Sequence, residues 1–172
     1  MSRNVLWWGE CSGRCGFFYY PAAAKKPVSP MFEVIIDGYP MKRECTDPPP
    51  GQLLQGIREF NRGDWFECHE TVEDLWIGAV GETRDFYQGV IQIAVALHHW
   101  RNGNFGGAVS LLKGGAGHLR SVADRCQWVD VAALIADSDR MRSALEELGQ
   151  ERMESLDPAL IPLIRTVSAS DR

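Results

Sequence analysis

The residues best suited to chemistry lie in the stretch FNRGDWFECHETVEDLW, residues 60–76. It places His69 beside Glu70, and Glu73 follows one helical turn after His69. An imidazole and a carboxylate at this spacing can ligate a metal ion, and a nearby carboxylate can also raise the pKa of the imidazole for acid–base work. When buried, the same side chains can instead form hydrogen-bonded links between helices. The direction in which the helix turns them decides between these roles.

A helix that begins near Trp65 turns His69 and Glu73 toward the protein interior. At about 100° per residue, both fall inside an apolar arc about 200° wide, and Glu70 lies at the border of that arc. We therefore expect His69 and Glu73 to be largely buried. They then need polar partners, because an unpaired buried charge is very costly.

The third helix, which the sequence predicts to reach Trp100, offers such partners. Most of its side chains are apolar, so we expect it to be central in the fold. Its polar exceptions share one stripe at helical spacing: Arg84, Gln88, Gln92 and His99. A solvent-facing stripe is normally richer in Lys and Glu. We therefore expect Gln88 and Gln92 to meet His69 and Glu73 in one buried cluster. Glu70 and Arg84 should lie at the rim of this cluster, and His98 should point away to the surface.

Capped, periodic segments predict an all-α fold, a compact bundle of about five to six helices. The signals that begin the second, third and fourth helices are Asp64, Thr83 and Asn104. Another one or two helices are predicted between Asp130 and Leu148. The fourth helix contains several glycines, each of which costs a helix about 1 kcal/mol. Either close helix packing requires these glycines or the helix is broken.

The chain is predicted to have three parts. Residues 1–50 form an irregular N-terminal extension with a short strand at residues 31–37. That extension is either disordered or lies ahead of a later translation start. Residues 51–150 form the helical bundle, and residues 151–172 form a C-terminal tail with a short helix after Pro158.

Charge and hydropathy exclude several classes of partner. The formal net charge of the 172 residues is −5, although residues 1–30 are basic, with four Lys or Arg against one Glu. The rest of the chain is therefore acidic, which argues against nucleic acid because phosphate binding needs clustered Lys and Arg. No apolar run approaches the roughly 18–20 residues that span a bilayer, so we expect no membrane partner.

The five cysteines are odd in number and scattered, which argues against a disulfide framework. We therefore predict reduced thiols in a cytoplasmic protein. Cys11 and Cys15 form a C-x3-C pair, but no second pair has the spacing of a zinc site.

The order of the motifs resembles the family catalogued as domain of unknown function 309, a helical family of bacteria and plastid-bearing eukaryotes. The resemblance covers about residues 52–148. It rests on FNRGDWFECHETVEDLW and on RDFYQGVIQIAVALHHWRNGNFGGAVSLL. The H-E-x-x-E and Q-G-x-x-Q elements of the family correspond here to His69, Glu70, Glu73, Gln88, Gly89 and Gln92. The resemblance implies a compact helical bundle and no particular reaction, because the family has no established activity.

Three hypotheses about the function stay open. In the first, the polar cluster is structural, and Glu73 pairs with Arg84 or with a glutamine. In the second, the cluster belongs to a pocket for a small molecule or a protein partner, lined by Trp65, Trp76, Gln88 and Gln92. In the third, His69, Glu70 and Glu73 hold a metal ion, with or without enzymatic activity. The H-E-x-x-H pair of zinc proteases is absent, because Glu73 stands where its second His would be. We assign no catalytic residue, and cofactor and homo-oligomeric state stay open.

Overall fold

The periodic segments of the sequence form five α-helices in the computed structural model, which describes residues 35–36, 39–40 and 43–167. The α-helices are α1 (Gly51–Arg62), α2 (Trp65–Gly78), α3 (Glu82–Arg101), α4 (Phe105–Leu119) and α5 (Val131–Leu148). Two 3-10 helices follow, Gln150–Ser155 and Pro158–Leu160. The strands are two-residue antiparallel pairs: β1 (Ile35–Ile36) with β2 (Tyr39–Pro40), and β3 (Arg125–Cys126) with β4 (Val129–Asp130). The predicted all-α bundle is confirmed.

Helix α3 lies at the centre of the bundle, as its sequence predicts. It packs against α2 on one side and α4 on the other, while α1 packs on α2 and α5 packs on α4. More than half of the α3 residues are buried, among them Phe86, Tyr87 and Leu97. Burial of this kind, at roughly 25 cal/mol per Å² of apolar surface, is the main stabilising term of the domain.

The glycines of α4 are explained by its close contact with α3. A Cβ atom on Gly89 would lie 2.6 Å from the Leu119 side chain and 3.0 Å from the carbonyl oxygen of Gly115. A Cβ atom on Gly115 would lie 2.9 Å from the carbonyl oxygen of Gly89. The two backbones therefore touch at a pair of glycines, and α4 is continuous rather than broken.

The predicted helix starts are only partly correct. Asn104 caps α4, because its side chain accepts a hydrogen bond of 2.9 Å from the Gly107 amide. Asp64 precedes α2 but makes no capping hydrogen bond, and its carboxylate pairs with Arg62 at 3.2 Å. Thr83 does not cap α3. It lies inside the helix, and Gly81, with a φ of 62°, occupies the capping position.

The segment after α5 packs onto the helices. Met153, Leu156 and Ile164 are buried in the core. The Trp100 indole donates a hydrogen bond of 3.1 Å to the carbonyl oxygen of Met153. The Asn61 amide exchanges two hydrogen bonds of 2.9 Å with the backbone of Ile164. Residues 151–167 therefore contribute directly to the core.

The prediction of reduced thiols is wrong for one pair of cysteines. Cys45 and Cys126 form a disulfide across a sequence separation of 81 residues. The carbonyl oxygen of Cys45 also accepts a hydrogen bond of 2.7 Å from the amide of Gln127, so the segment before α1 is fastened to the β3–β4 turn. The sequence spacing could not show this pairing, because the intervening helices bring the two cysteines together. Cys68 is a free and buried thiol.

Several predictions fall on residues 1–34, outside the part of the chain that the structure describes. These are most of the irregular extension, most of the strand at residues 31–37, and the Cys11–Cys15 pair. Residues 35–36 do form β1. No helix within residues 43–167 has the length and apolar character needed to cross a bilayer.

Candidate functional site

His69 lies on the flank of α2, where its ring is oriented by the backbone. Its Nδ1 is 3.1 Å from the carbonyl oxygen of Phe66, so Nδ1 carries the proton and donates to that oxygen. Nε2 then faces the Glu73 carboxylate at 3.9 Å. The side chains of His69 and Glu73 are 20% and 22% exposed, which makes them half-buried rather than largely buried. The reason is that α2 turns its other side, which carries Cys68, into the core.

Arg84 does not pair with Glu73, contrary to one of the expected arrangements. Its guanidinium stacks on the Trp76 ring, 4.0 Å from the ring centroid. Its Nη1 also donates to the backbone carbonyl oxygens of Trp76 and Ala79, at 3.3 and 3.4 Å. Arg84 thus ties the start of α3 to the end of α2. Glu70 is exposed, and its position at the rim of a cluster stays a prediction.

Gln88 and Gln92 lie on the α3 stripe, and their amides are poorly satisfied within the protein. Gln88 is only 9% exposed, and within residues 43–167 its side-chain amide makes no hydrogen bond. The Oε1 atom of Gln92 is buried and has no hydrogen-bond partner in this part of the chain. Gln92 extends toward α4, where a Cβ atom on Gly114 would lie 2.5 Å from this oxygen.

His98 and His99 belong to the same region, and His98, which was expected to point away from the stripe at the surface, is partly exposed. His98 is half-buried, and its ring lies 5.7 Å from that of Phe66, the residue that also contacts His69. Its Nδ1 is buried without a hydrogen-bond partner among the described residues. Burial, followed by the charges of Arg101 and His69, lowers the pKa of His98.

His99 faces α4 and the residue that caps it, Asn104. Its Nδ1 is 3.1 Å from the Asn104 amide, and its ring would lie 3.0 Å from a Cβ atom on Gly107. Burial, with a smaller contribution from His98, lowers the pKa of His99. A signal for this arrangement was present in the sequence. Adjacent helical residues point about 100° apart, so one histidine of the doublet faces α2 when the other faces α4.

Five of the seven predicted site residues fall into two groups on either side of α3. The first group, next to α2, contains His69, Glu73, Trp76 and Arg84. The second group, next to α4, contains Gln92 and its neighbour Gly114. Among residues 43–167 no hydrogen bond joins His69 or Glu73 to Gln88 or Gln92. One cluster of all of them stays a prediction.

The hypothesis of a metal site at His69, Glu70 and Glu73 receives no geometric support. In the part of the chain that the structure describes, no group of three His, Cys, Asp or Glu side chains is arranged to hold a metal ion. His69 and Glu73 face each other, but Glu70 lies on the exposed side of α2. Two ligands are fewer than the three or four protein ligands of a typical zinc centre.

These observations define an all-helical domain whose central helix carries a polar stripe between two neighbouring helices. Residues 53–111 match the family model described as a domain of unknown function (DUF309), which confirms the resemblance inferred from the sequence. The matched segment runs from α1 to the middle of α4 and contains every predicted site residue.

Two curated relatives share part of this segment. The chain is 44% identical over 65 residues to the uncharacterized protein YpuF of Bacillus subtilis (strain 168), and the match covers 37% of each chain. It is 26% identical over 85 residues to an uncharacterized protein of Aquifex aeolicus (strain VF5), covering 49% of this chain and 26% of the relative. The chain thus spans between about a quarter and two fifths of the length of these relatives.

Proposed function

We propose that the polar stripe of α3 is the floor of a non-covalent binding site, which we call the α3 groove. The floor is formed by Arg84, Gln88, Gln92 and His99. Half-buried side chains of α2, His69 and Glu73, form one wall. The other wall is the α4 surface that carries Gly107 and Gly114, against which His99 and Gln92 lie.

One observation carries this proposal: the Oε1 atom of Gln92 is buried and has no hydrogen-bond partner among the described residues. Leaving a buried polar group unpaired costs about 1–3 kcal/mol. On the same stripe, Gln88 is 9% exposed, and its side-chain amide makes no hydrogen bond within residues 43–167. Unsatisfied groups that persist in a native fold call for a specific explanation, and a bound partner that completes their hydrogen bonds is one.

A purely structural role explains these residues less well. A structural network stabilises a fold when its members satisfy one another. Gln127 provides the comparison within this chain, because it is fully buried and its Oε1 accepts a hydrogen bond of 2.8 Å from the Tyr87 hydroxyl. Its backbone amide is also bonded, to Cys45. Within residues 43–167, the Oε1 atom of Gln92 has no comparable partner.

The composition of α4 allows the α3 stripe to pack closely against it. Gly107, Ser110 and Gly114 follow one another at i, i+3 and i+7, so they share one side of the helix. None of these side chains is larger than serine, and the side chains of His99 and Gln92 lie directly against Gly107 and Gly114.

The cytoplasmic location expected from the cysteine pattern stays a prediction. The Cys45–Cys126 disulfide weighs against a reducing compartment, because disulfides persist mainly in oxidising ones.

Two glutamine variants test the proposal. Gln92→Leu removes an amide that the protein itself does not satisfy, so we expect the melting temperature to hold or to rise by about 2–4 °C. Gln127→Leu is the matched control. It should lower the melting temperature, because the Gln127 side chain loses its hydrogen bond with the Tyr87 hydroxyl. A loss of stability in Gln92→Leu as large as that in Gln127→Leu would support the structural role and contradict the binding site.

The binding itself is tested by thermal shift with a panel of uncharged amides, sugars, amino acids and polyamines. We expect at least one class to raise the melting temperature of the wild type by mass action, and to do so less in Gln88→Leu and Gln92→Leu. A wild type that responds to none of these compounds, nor to a peptide, would refute the proposed function.

A further inference from the structure

We propose that the Cys45–Cys126 disulfide is a redox switch, whose reduction by a dithiol frees residues 43–47 from the β3–β4 turn and leaves the helical bundle folded. Residues 43–47 are called the strap below. The switch involves none of the residues that form the α3 groove, so it does not depend on the proposed function. Three features carry it: the contacts that hold the strap, the polar side chains beneath it, and the backbone of the turn.

The strap is fastened mainly by the covalent bond. Among the described residues, three hydrogen bonds join it to the bundle, and each ends on a backbone carbonyl oxygen of the strap. The Gln127 amide donates to Cys45 at 2.7 Å, and the Gln127 side chain donates to Glu44 at 3.5 Å. The Thr83 hydroxyl donates to Arg43 at 3.1 Å. Water can replace bonds of this kind, because it hydrates a carbonyl that is released to solvent.

The side chains of the strap add little to the hydrophobic core. Its sequence is RECTD, so every residue except Cys45 is polar or charged. Arg43, Glu44 and Thr46 are exposed. In the described chain, the buried hydrophobic core begins only after the strap, with Leu53 in α1. Release of the strap therefore gives up little apolar burial, which is the dominant favourable term in folding, and the bundle stays folded.

The strap covers polar side chains of the bundle. Thr83, Tyr87 and Gln127 are 2%, 1% and 0% exposed, and the Tyr87 hydroxyl donates a hydrogen bond of 2.8 Å to Gln127 Oε1. Burial is the main cause that raises the pKa of Tyr87, and the charges of Arg43 and Asp47 also act on it. Tyr87 therefore lies close to the strap. Reduction exposes this patch of two hydroxyls and one amide to solvent.

The turn between β3 and β4 has a backbone that only its surroundings can hold. Gln127 and Trp128 have φ angles of 47° and 65°, in the left-handed region that is costly for residues other than glycine. Such backbone persists where neighbouring contacts fix it. Here the disulfide holds Cys126, and the Gln127 amide is bonded to the strap. The Trp128 carbonyl oxygen accepts a hydrogen bond of 2.8 Å from Val167. Reduction removes the first two of these restraints, so the turn relaxes as the strap leaves.

The exchange reaction begins at the more accessible sulfur. Cys45 is partly exposed, whereas Cys126 is fully buried. A thiolate of the dithiol attacks Sγ of Cys45, and Cys126 leaves as a thiolate and takes up a proton. The second thiol of the reductant then displaces Cys45 from the mixed disulfide. The protein gains two thiols, and the reductant is oxidised to its own disulfide.

The test uses the full oxidised chain and dithiothreitol, well below the melting temperature, with hydrogen exchange followed by mass spectrometry. On reduction, peptides from residues 43–47 and 125–130 should exchange about tenfold faster or more, while peptides from residues 90–97 of α3 stay protected. Iodoacetamide should then label Cys45 and Cys126 but not the buried Cys68. Oxidised glutathione should restore the protection. Cys45→Ser should show the fast exchange without reductant, and Cys68→Ser, the matched control, should respond as the wild type does.

Unchanged exchange of residues 43–47 after complete reduction would overturn the inference, because the hydrogen bonds would then hold the strap by themselves. Loss of the helical circular dichroism signal, or labelling of Cys68, would show that the disulfide holds the whole bundle together, and would also overturn it. So would a disulfide that dithiothreitol reduces only in denaturant, or a protein whose Cys45 and Cys126 stay free in oxidised glutathione.

Discussion

Replacement of Gly115 by alanine tests whether backbone contact between α3 and α4 determines the position of the polar stripe. The added Cβ atom would lie 2.7 Å from Ile93 Cγ1, 2.9 Å from the Gly89 carbonyl oxygen and 3.2 Å from the Ile93 amide nitrogen. Two of these three atoms belong to the backbone, so the strain cannot be relieved by rotating a side chain. The helices must separate instead.

The size of the effect follows from two opposing terms. Overpacking a core typically costs about 1–3 kcal/mol. Alanine in place of glycine in a helix interior returns about 1 kcal/mol. We therefore expect a net destabilisation of up to about 2 kcal/mol, which lowers the melting temperature by up to about 8 °C for a chain of this size.

Two neighbouring glycines provide matched controls. Gly117 has nothing within 4 Å of an added Cβ atom, so Gly117→Ala should gain the helix-propensity term alone and raise the melting temperature by about 2–4 °C. Gly114→Ala meets only the end of the flexible Gln92 side chain, which can move aside. That change should cost little stability but should displace the Gln92 amide from the groove.

Differential scanning calorimetry of the three variants checks this ordering, with Gly115→Ala lowest and Gly117→Ala highest. A Gly115→Ala protein that is as stable as Gly117→Ala would refute the reasoning. It would mean that α3 and α4 are farther apart than the structure places them.

Three further predictions concern the cysteines and histidines. The double variant Cys45→Ala, Cys126→Ala should lose about 2–4 kcal/mol of stability because the disulfide closes a long loop, and dithiothreitol should lower the melting temperature of the wild type but not of the variant. Cys68 should resist iodoacetamide in the native protein at pH 8, because burial and then the charge of Glu59 raise its pKa to about 12; rapid native alkylation seen by mass spectrometry would contradict this. Because the pKa values of His98 and His99 are lowered from 6.5 in the folded protein, the unfolded chain binds protons first as the pH falls below about 6.5, and stability should decrease there. His98→Asn combined with His99→Asn should reduce the difference in melting temperature between pH 7 and pH 5, and an unchanged difference would show that these histidines do not contribute to it.

Much of the fold could be predicted from local patterns. Apolar periodicity indicated about five to six helices, because one face of each helix must be buried whatever it packs against. Asn104 was a correct start signal because a side-chain cap is a contact within one turn. The same rule failed at Thr83, where a glycine with positive φ began the helix instead. Residue types alone did not distinguish these two cases.

The candidate site could be predicted only in part. Which residues share the stripe of α3 follows from helical spacing, so Gln88 and Gln92 could be selected without a structure. How deeply each side chain is buried depends on how α2 is rotated against α3, and that rotation left His69 and Glu73 half-buried. The same rotation brought His98 toward Phe66, although the sequence had indicated the surface.

By itself, the sequence determined the helices and the polar residues of the central helix, because these depend on neighbours within one or two turns. It also determined the net negative charge of the chain after residue 30. Tertiary structure alone decided which residues meet across the bundle. Arg84 stacks on Trp76 and bonds to carbonyl oxygens at the end of α2 rather than pairing with Glu73. Cys45 meets Cys126 because four helices separate them in the chain and then fold back. Contacts of this kind depend on the packing of whole helices, which no short stretch of sequence encodes.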